Sequence, residues 1–466
     1  MNRAPFDDVL VVLPGIMGST LLDRDGREVW GQDAATLHGL LRGGTSRLAL
    51  PAGIGDEHPG DGITPGVLMP GIYASVGVWT TSLGYRRLLD HLTRRYTLTP
   101  DNLVAFAYDW RLSNRYNGRR LKRVVEPVLA RWREQPGRRD AKLVFLCHSM
   151  GGLVARWYTE REGGATHTRT LLTIGTPHRG AAKAIDRLVN GVRLKLGRFG
   201  IDLTEVARGL PALHQLLPSY ACIEEGGALR TIAEAGGLPG VSAAALDDAA
   251  RFHAQLDGSP DTARLHPLVG INQPTAASAR ITRGTAVLQR TMLTAEGIAV
   301  DRLGDGTVPR FAAYPKGFGD RFPALSWSAQ THGGLPGHRG VLDQIDGVLT
   351  GTGVEFRASG TAIGVEADPL VLAGEPLTVR AESTDPALLM DAQLIEPATG
   401  TPVARQVMRH LGAGRHEATF VGLPSGGYVV RVGALRHPDP LLDPVTAPTV
   451  VVDPSALGGS GAVQGA

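Results

Sequence analysis

Cysteine is almost absent from this chain of 466 residues, which has two, Cys147 and Cys222. Two cysteines are too few for a disulfide framework, and Cys147 lies in an apolar run typical of a buried strand. A strong charge of one sign is also missing, because 48 basic and 45 acidic residues leave a formal net charge of +3. So small a charge on a chain of this length gives no support to nucleic-acid binding.

Long hydrophobic runs are missing as well. The apolar run 9–13 is followed at once by Pro14-Gly15, so it is too short for the core of a signal peptide. No run approaches the roughly 20 apolar residues that cross a membrane. We therefore expect a cytoplasmic protein. The remaining composition, 42% hydrophobic and 20% charged, is typical of a globular chain with two or three domains.

One stretch carries the strongest chemical signal. The apolar run 143–147 is followed by His148-Ser149-Met150-Gly151 and then by a helix-compatible segment, 153–160. A buried strand, a sharp turn that presents a serine, and a helix together describe a nucleophile elbow. Cys147 stands where the first glycine of G-x-S-x-G is usual. The alternative is an ordinary strand-to-helix turn capped by Ser149.

Apolar runs alternate with helical patterns through the first 350 residues. Strands are predicted at 8–13, 102–111 with its loop, 143–147, 170–174, 266–271, 285–292 and 324–327. Helices are predicted at 85–92, 121–132, 153–160 and from 339 or 340 onward. Strands that are apolar throughout indicate a mostly parallel sheet covered on both faces. With the elbow, this predicts an α/β-hydrolase fold over residues 1–351.

Two insertions interrupt that alternation. The segment of about 31–83 is rich in glycine and proline, and it is either a mobile flap over a lipid-sized pocket or a plain surface excursion. The segment of about 181–264 has helical signals and few strands, which predicts a helical cap. Within it, 188–199 is a basic amphipathic stretch, either a surface for anionic lipid or a cap helix with a solvated face.

A serine nucleophile needs a histidine base, and the histidine needs a carboxylate. In this type of sheet the partners follow in the order Ser, Asp, His. Gly304-Asp305-Gly306 places an acid in a tight turn, although such a turn is also common on surfaces. His332 follows the last predicted strand and is the preferred base. His338, the alternative, would lie at the start of the last helix, and His148 is expected to pack beside the elbow.

The glycine-rich turn after the first strand, Pro14-Gly15-Ile16-Met17-Gly18-Ser19, has two interpretations. It could cradle a phosphate, but it has neither the G-x-G-x-x-G pattern nor a P-loop lysine. In an acyl-transfer enzyme the same turn would supply one backbone N–H of the oxyanion hole. The second interpretation is the one we favour, and its chemistry needs no cofactor and no metal.

Six motifs occur in one order. They are Pro14-Gly15-Ile16-Met17-Gly18-Ser19, Tyr108-Asp109-Trp110-Arg111-Leu112, His148-Ser149-Met150-Gly151, Gly175-Thr176-Pro177, Gly270-Ile271-Asn272-Gln273-Pro274-Thr275 and Gly304-Asp305-Gly306-Thr307-Val308. Together, from about residue 8 to 350, they resemble the lecithin:cholesterol acyltransferase family and its phospholipase and phospholipid:diacylglycerol acyltransferase relatives. The resemblance implies a lid at about 31–83 and a cap at about 181–264. Secreted relatives carry a cysteine pair in the lid, and this chain has no cysteine there.

The resemblance also implies site residues and a reaction. The implied triad is Ser149, Asp305 and His332, with oxyanion N–H groups from Met17 and Met150. The expected reaction is serine-dependent acyl transfer on a phospholipid or glyceride through an acyl-serine, as an O-acyltransferase or as a lipase or phospholipase. The lid and cap would then contact a membrane surface. The alternatives are a small-ester esterase, or a catalytically silent hydrolase fold that acts as a binding or scaffold protein.

The composition changes after residue 351. Short strand-like runs at 369–380, 390–395, 416–421, 428–432 and 449–452 are separated by Gly, Pro and Asp. Their alternation and spacing predict a β-sandwich over 352–455 that resembles immunoglobulin-like modules, without the cysteines and tryptophan of antibody domains. It is expected to bind a protein partner or to position the enzyme. The tail 456–466 is predicted to be flexible.

Overall fold

The fold centres on one mostly buried sheet. The computed structural model describes residues 3–32, 44–72, 81–196, 199–257, 264–294, 297–318, 325–352, 360–436, 439 and 442–453. The strands up to residue 328 are β1 Val9–Leu13, β2 Ser19–Leu22, β3 Glu28–Trp30, β4 Thr64–Leu68, β5 Leu103–Ala105, β6 Leu143–His148, β7 Thr168–Ile174, β8 Arg193–Leu196, β9 Phe199–Asp202, β10 Ile223–Glu225, β11 Ala228–Arg230, β12 Leu265–Gly270, β13 Ser278–Thr282, β14 Thr285–Gln289, β15 Thr291–Leu293, β16 Ala299–Asp301 and β17 Ser326–Ser328. The α-helices are α1 Arg86–Arg95, α2 Asn114–Arg133, α3 Gly151–Arg161, α4 Lys183–Val189, α5 Thr204–Arg208, α6 Pro211–His214, α7 Ala243–Asp257 and α8 Arg339–Thr350.

The central sheet has the strand order β17-β12-β7-β6-β1-β5, and each neighbouring pair is parallel. The inner strands β1 and β6 are buried along their whole length. Strands buried on both faces must be apolar throughout, which is why they stand out in the sequence. Helices α2 and α3 pack against the sheet and against each other. The predicted α/β-hydrolase fold is confirmed.

The prediction that 285–292 returns to the central sheet is wrong. Strand β14 pairs antiparallel with β13 in a separate sheet of order β11-β10-β13-β14, and β15 pairs with β16. The physical reason is that β14 is only partly buried: it has exposed residues on one side, and Val287 is 49% exposed. A strand in the middle of the parallel sheet would have both faces covered.

The cap differs from the prediction at 188–199, where a basic amphipathic helix was one expectation. Helix α4 ends at Val189, and β8 and β9 form an antiparallel hairpin instead. Gly191 has φ +81°, and a Cβ there would lie 2.3 Å from Thr204 Oγ1, so the chain turns where a helix would have to continue. The cap helix that was one expectation for this stretch is therefore not formed, and contact of the stretch with anionic lipid stays a prediction.

Only part of the predicted lid, about 31–83, is described, because 33–43 and 73–80 lie outside the described residues. Strand β4 from this segment pairs antiparallel with β2 in the sheet β3-β2-β4. Asp61, just before β4, forms an ion pair at 2.9 Å with the buried Arg111. These contacts tie one portion of the segment to the body of the protein. That the segment acts as a lid stays a prediction.

The chain from residue 360 onward is built of strands, called the sandwich below. They are β18 Ile363–Ala367, β19 Leu370–Leu372, β20 Leu377–Ser383, β21 Met390–Ile395, β22 Pro402–Val407, β23 Arg409–Gly412, β24 Arg415–Phe420, β25 Gly426–Ala434 and β26 Val445–Val452. One sheet has the order β18-β20-β24-β23 and the other β19-β26-β25-β21-β22, with β19 parallel to β26 and the other pairs antiparallel.

Both sheets of the sandwich contribute to one apolar core, while Leu372 of β19 and Val452 of β26 are buried in the core of the hydrolase fold. The predicted strand-rich C-terminal region is confirmed, while its limits at 352 and 455 stay predictions. The tail 456–466 lies outside the described residues. None of the helices in the described part of the chain is long and apolar enough to span a membrane.

Candidate active site

Ser149 stands on a tight turn between β6 and α3. Its φ is +52°, a left-handed conformation that is costly for a residue with a Cβ. The turn is possible because its neighbours are small. A Cβ on Gly151 would lie 2.5 Å from the Pro14 carbonyl oxygen, and a Cβ on Gly15 would lie 2.9 Å from Ser149 Cβ. The geometry is that of a nucleophile elbow, with the fully buried Cys147 in the usual glycine position.

Ser149, His332 and Asp305 form a continuous hydrogen-bonded chain. His332 Nε2 lies 2.9 Å from Ser149 Oγ, and His332 Nδ1 lies 2.7 Å from Asp305 Oδ2. The other carboxylate oxygen, Oδ1, accepts the backbone N–H groups of Thr307 at 2.9 Å and Val308 at 2.7 Å. All three side chains are 1% exposed. The arrangement can move a proton from the hydroxyl to the imidazole while a carboxylate faces the other ring nitrogen.

His338, the alternative base, lies elsewhere. It is the residue before α8, which begins at Arg339 as the sequence indicated. Its Nδ1 is buried without a hydrogen-bond partner among the described residues, and burial lowers its pKa. The histidine within hydrogen-bond distance of Ser149 is His332. The geometry therefore favours His332 over His338.

Two glycines of the sequence motifs make room for the acid. A Cβ on Gly270 would lie 2.2 Å from Asp305 Cβ. A Cβ on Gly175, which has φ +57°, would lie 2.9 Å from Asp305 Oδ2 and 3.2 Å from His332 Nδ1. Gly270 is the last residue of β12 and Gly175 directly follows β7, so a backbone without side chains lies at the strand ends where the carboxylate must fit.

His148 links two loops of the site. Gly15 N–H donates to Tyr85 Oη at 2.8 Å, and Tyr85 Oη lies 2.9 Å from His148 Nδ1. His148 Nε2 lies 3.1 Å from the backbone carbonyl oxygen of His332. Because the Tyr85 oxygen accepts from Gly15, its own O–H can donate to Nδ1, and the carbonyl oxygen of His332 can only accept. The contacts therefore fit a ring that accepts at Nδ1 and donates at Nε2. Tyr85 was missed from the sequence, because it opens a helical pattern and carries no local signal of its distant partners.

The backbone N–H groups of Met17 and Met150 are candidates for an oxyanion hole. Among the described residues neither group has a hydrogen-bond acceptor, and both residues are buried, at 1% and 0% exposure. Met150 follows Ser149 directly, and Met17 has φ +61° in the loop whose Gly15 packs on the serine. A buried donor without an acceptor is costly unless a ligand satisfies it. Their role stays a prediction.

The Tyr108-Asp109-Trp110-Arg111 motif anchors that loop. The Tyr108 hydroxyl donates to the Pro14 carbonyl oxygen at 2.8 Å, and Trp110 Nε1 donates to the Ser19 carbonyl oxygen at 3.2 Å. Both side chains are buried. The loop that carries Met17 is therefore held at its two ends by one short motif, which gives this motif a physical role beside the site.

Lys183 adds a cation to the surroundings of the acid. Burial lowers its pKa to about 7, and the positive charge of Arg187 contributes, while Asp305 and Asp186 act in the opposite direction. The lysine opens α4, directly after the loop that begins with Gly175. Burial of this lysine beside the acid therefore disfavours its charged form.

Three buried histidines should make the protein sensitive to acid. Burial holds the pKa of His148 and of His178 well below 6.5 and lowers that of His253 to about 4, with a smaller contribution from nearby charge. The unfolded chain binds their protons near pH 6.5, whereas the folded chain does not. The free energy of unfolding should therefore fall below pH 6.5, by at most about 1.4 kcal/mol per histidine per pH unit.

Urea unfolding between pH 7 and pH 5 checks this. We expect a lower midpoint at pH 5, and a shallower pH dependence for His253→Leu, which removes one of the three groups. His58→Gln, at an exposed position, is the control and should keep the wild-type dependence. An equal midpoint at the two pH values would contradict the assignment of these histidines as neutral in the folded protein.

The parallel sheet, the elbow and the hydrogen-bonded serine, histidine and aspartate define an α/β-hydrolase fold with a candidate serine active site. Residues 77–229 match the model of the lecithin:cholesterol acyltransferase family, which confirms the predicted resemblance over that stretch. The stretch includes Ser149 and ends before Asp305 and His332. A comparison with curated protein sequences found no match.

Several solved structures are similar to parts of this chain. A chain of the Tle4–Tli4 complex is 15% identical, with a TM-score of 0.46, over 75% of this chain and 99% of that one. The Bacillus licheniformis lipase BlEst2 in its propeptide form is 12% identical, with a TM-score of 0.38, over 96% of this chain and 75% of that one. Fibronectin(III)-like modules of Clostridium thermocellum CbhA are 15% identical, with a TM-score of 0.15, over 19% of this chain and 96% of that one.

Proposed function

We propose that the protein transfers an acyl group from a lipid ester, a phospholipid or a glyceride, through an acyl-serine on Ser149. The observation that carries the proposal is the 2.9 Å separation of His332 Nε2 and Ser149 Oγ, backed by the Asp305 carboxylate at 2.7 Å from Nδ1. The family match over 77–229 supports the choice of a lipid ester as acyl donor.

In the first half-reaction His332 Nε2 takes the proton of Ser149 Oγ while this oxygen attacks the ester carbonyl carbon. The carbonyl oxygen gains the negative charge and accepts hydrogen bonds from the N–H groups of Met17 and Met150. Asp305 keeps the proton on His332 Nδ1 and stabilises the imidazolium. The ester bond then breaks, the alcohol leaves with the proton from Nε2, and the acyl group stays on Ser149.

In the second half-reaction His332 Nε2 removes a proton from an acceptor, which attacks the acyl-serine carbonyl carbon. The bond between the acyl group and Ser149 Oγ then breaks, and Nε2 returns the proton to this oxygen. Water as the acceptor makes the protein a lipase or phospholipase. A lipid alcohol makes it an O-acyltransferase. The predicted cap and lid would contact the lipid surface, and the cytoplasmic location stays a prediction.

A panel of acyl donors tests this proposal. We expect purified protein to release fatty acid from phospholipid or diacylglycerol vesicles. Added lipid alcohol should divert part of the acyl group into a new ester, because both acceptors compete for one acyl-serine. Chromatography of the products measures both. The ratio of new ester to free fatty acid then measures how much of the acyl group is transferred rather than hydrolysed.

Two outcomes would contradict it. Turnover of a short soluble ester but of no lipid ester would replace the proposal with a small-ester esterase. Absence of both turnover and covalent labelling would leave a silent hydrolase fold used as a binding or scaffold protein. The hydrogen-bonded triad argues against the silent fold, since a protein without catalysis has no need to keep three buried polar side chains in this arrangement.

A further inference from the structure

Gln273 joins the loop of the candidate acid to the sandwich. Its backbone exchanges hydrogen bonds with Gly304, the residue before Asp305, at 2.9 and 3.1 Å. Its side-chain Oε1 accepts the Val365 N–H at 2.9 Å, and its Nε2 donates to the Ile363 carbonyl oxygen at 3.0 Å. The carboxamide therefore pairs with β18 as a neighbouring strand would, through the C=O of one residue and the N–H two residues later.

Gln330 makes the same kind of contact two residues before His332. Its Nε2 donates to the Pro444 carbonyl oxygen at 2.9 Å, and its Oε1 accepts the Thr446 N–H at 2.9 Å. Again the partners are a C=O and the N–H two residues later, here at the start of β26. The hydroxyl of Thr331 adds a hydrogen bond at 2.6 Å to the Thr446 carbonyl oxygen.

A further hydrogen bond connects the two glutamine contacts inside the protein. Gln273 Nε2 donates a second hydrogen bond, at 2.8 Å, to Ala329 in the loop that carries Gln330. Gln273 is 0% exposed and Gln330 is 1% exposed. A buried carboxamide that is hydrogen-bonded at both its oxygen and its nitrogen fixes its surroundings, since moving it would leave backbone groups unpaired. The loops of the acid and the base are thus held by one network.

We propose that the sandwich is a working part of the acyl-transfer site, with Gln273 and Gln330 as positioning residues that hold Asp305 and His332 in reach of Ser149. The inference rests on the proposed function. It gives the sandwich a role in the chemistry, although no hydrogen bond between described residues joins the sandwich to Ser149, His332 or Asp305. A base displaced by about 1 Å loses on the order of 100-fold in rate.

Isosteric substitutions that remove these hydrogen bonds test the proposal. Gln330→Met keeps most of the side-chain volume, and Thr331→Val removes one hydroxyl, while Thr331→Ser keeps it. With a soluble short-chain ester we expect kcat to fall between about tenfold and about 100-fold for Gln330→Met, with KM within about twofold. Thr331→Val should also have a lower kcat than the wild type, whereas Thr331→Ser should have a kcat close to that of the wild type. The rate of inactivation by a fluorophosphonate should follow kcat.

Gln393→Met is the matched control, because Gln393 Nε2 donates to Asp391 within the sandwich. Its kcat should equal the wild-type value. A merely structural role would lower the unfolding temperature of Gln330→Met and leave kcat of the folded protein unchanged, and that result would overturn the inference. An inactive and unlabelled wild type would instead remove the proposed function, so the two failures are distinguishable.

Discussion

Replacing Ser149 with alanine should abolish both ester turnover and covalent labelling by a fluorophosphonate. Under the proposed mechanism the reagent reacts with the oxygen of Ser149, which lies 2.9 Å from His332 Nε2. In a serine triad, loss of the nucleophile lowers kcat by on the order of 10⁶-fold. The side chain is 1% exposed and alanine is smaller, so the variant should fold. Mass spectrometry of the labelled protein and a fatty-acid assay measure the two effects.

Two controls sharpen this test. Ser219→Ala, at an exposed serine, should label and turn over as the wild type does. His338→Gln should keep its activity, because the histidine that reaches Ser149 is His332. Labelling of Ser149→Ala at the wild-type rate would remove the serine from its assigned role. Loss of activity in His338→Gln, with the protein folded, would reopen the choice of base.

Much of the site could be predicted because its signals are local. A strand buried on both faces is an apolar run, and a strained turn needs small neighbours, so the elbow around Ser149 is visible in about ten residues. The turn with Asp305 is marked by its two glycines. The choice of His332 followed from where the last helix begins, and the structure places that start at Arg339.

The parts that were missed depend on contacts between distant residues. Gln273 lies 92 residues from Val365, and Gln330 lies 116 residues from Thr446, so no local pattern marks either glutamine as a partner of the sandwich. Tyr85 is 63 residues from His148. The error at 285–292 has another cause, because β-favouring residues fit a half-exposed strand as well as a central one. Composition alone does not separate the two environments.

Asp305→Asn should be the second most damaging substitution. In the wild type Oδ1 accepts the N–H groups of Thr307 and Val308, and Oδ2 faces His332 Nδ1. An asparagine would keep its carbonyl oxygen where the two N–H groups donate. Its NH₂ group would then face Nδ1 and force the ring to carry its proton on Nε2, so that it could no longer accept the proton of Ser149. A kcat lower by on the order of 10⁴-fold is expected.

This substitution separates orientation from folding, because asparagine has the size of aspartate and keeps both backbone hydrogen bonds. The unfolding temperature should change little, while the rates of ester turnover and of fluorophosphonate labelling fall together. Asp301→Asn is the control, since Asp301 pairs with Arg290 and does not belong to the proposed triad. Activity of Asp305→Asn within tenfold of the wild type would mean that His332 does not depend on this carboxylate. The hydrogen-bonded chain would then be a feature of packing, and the acid would have to be sought elsewhere.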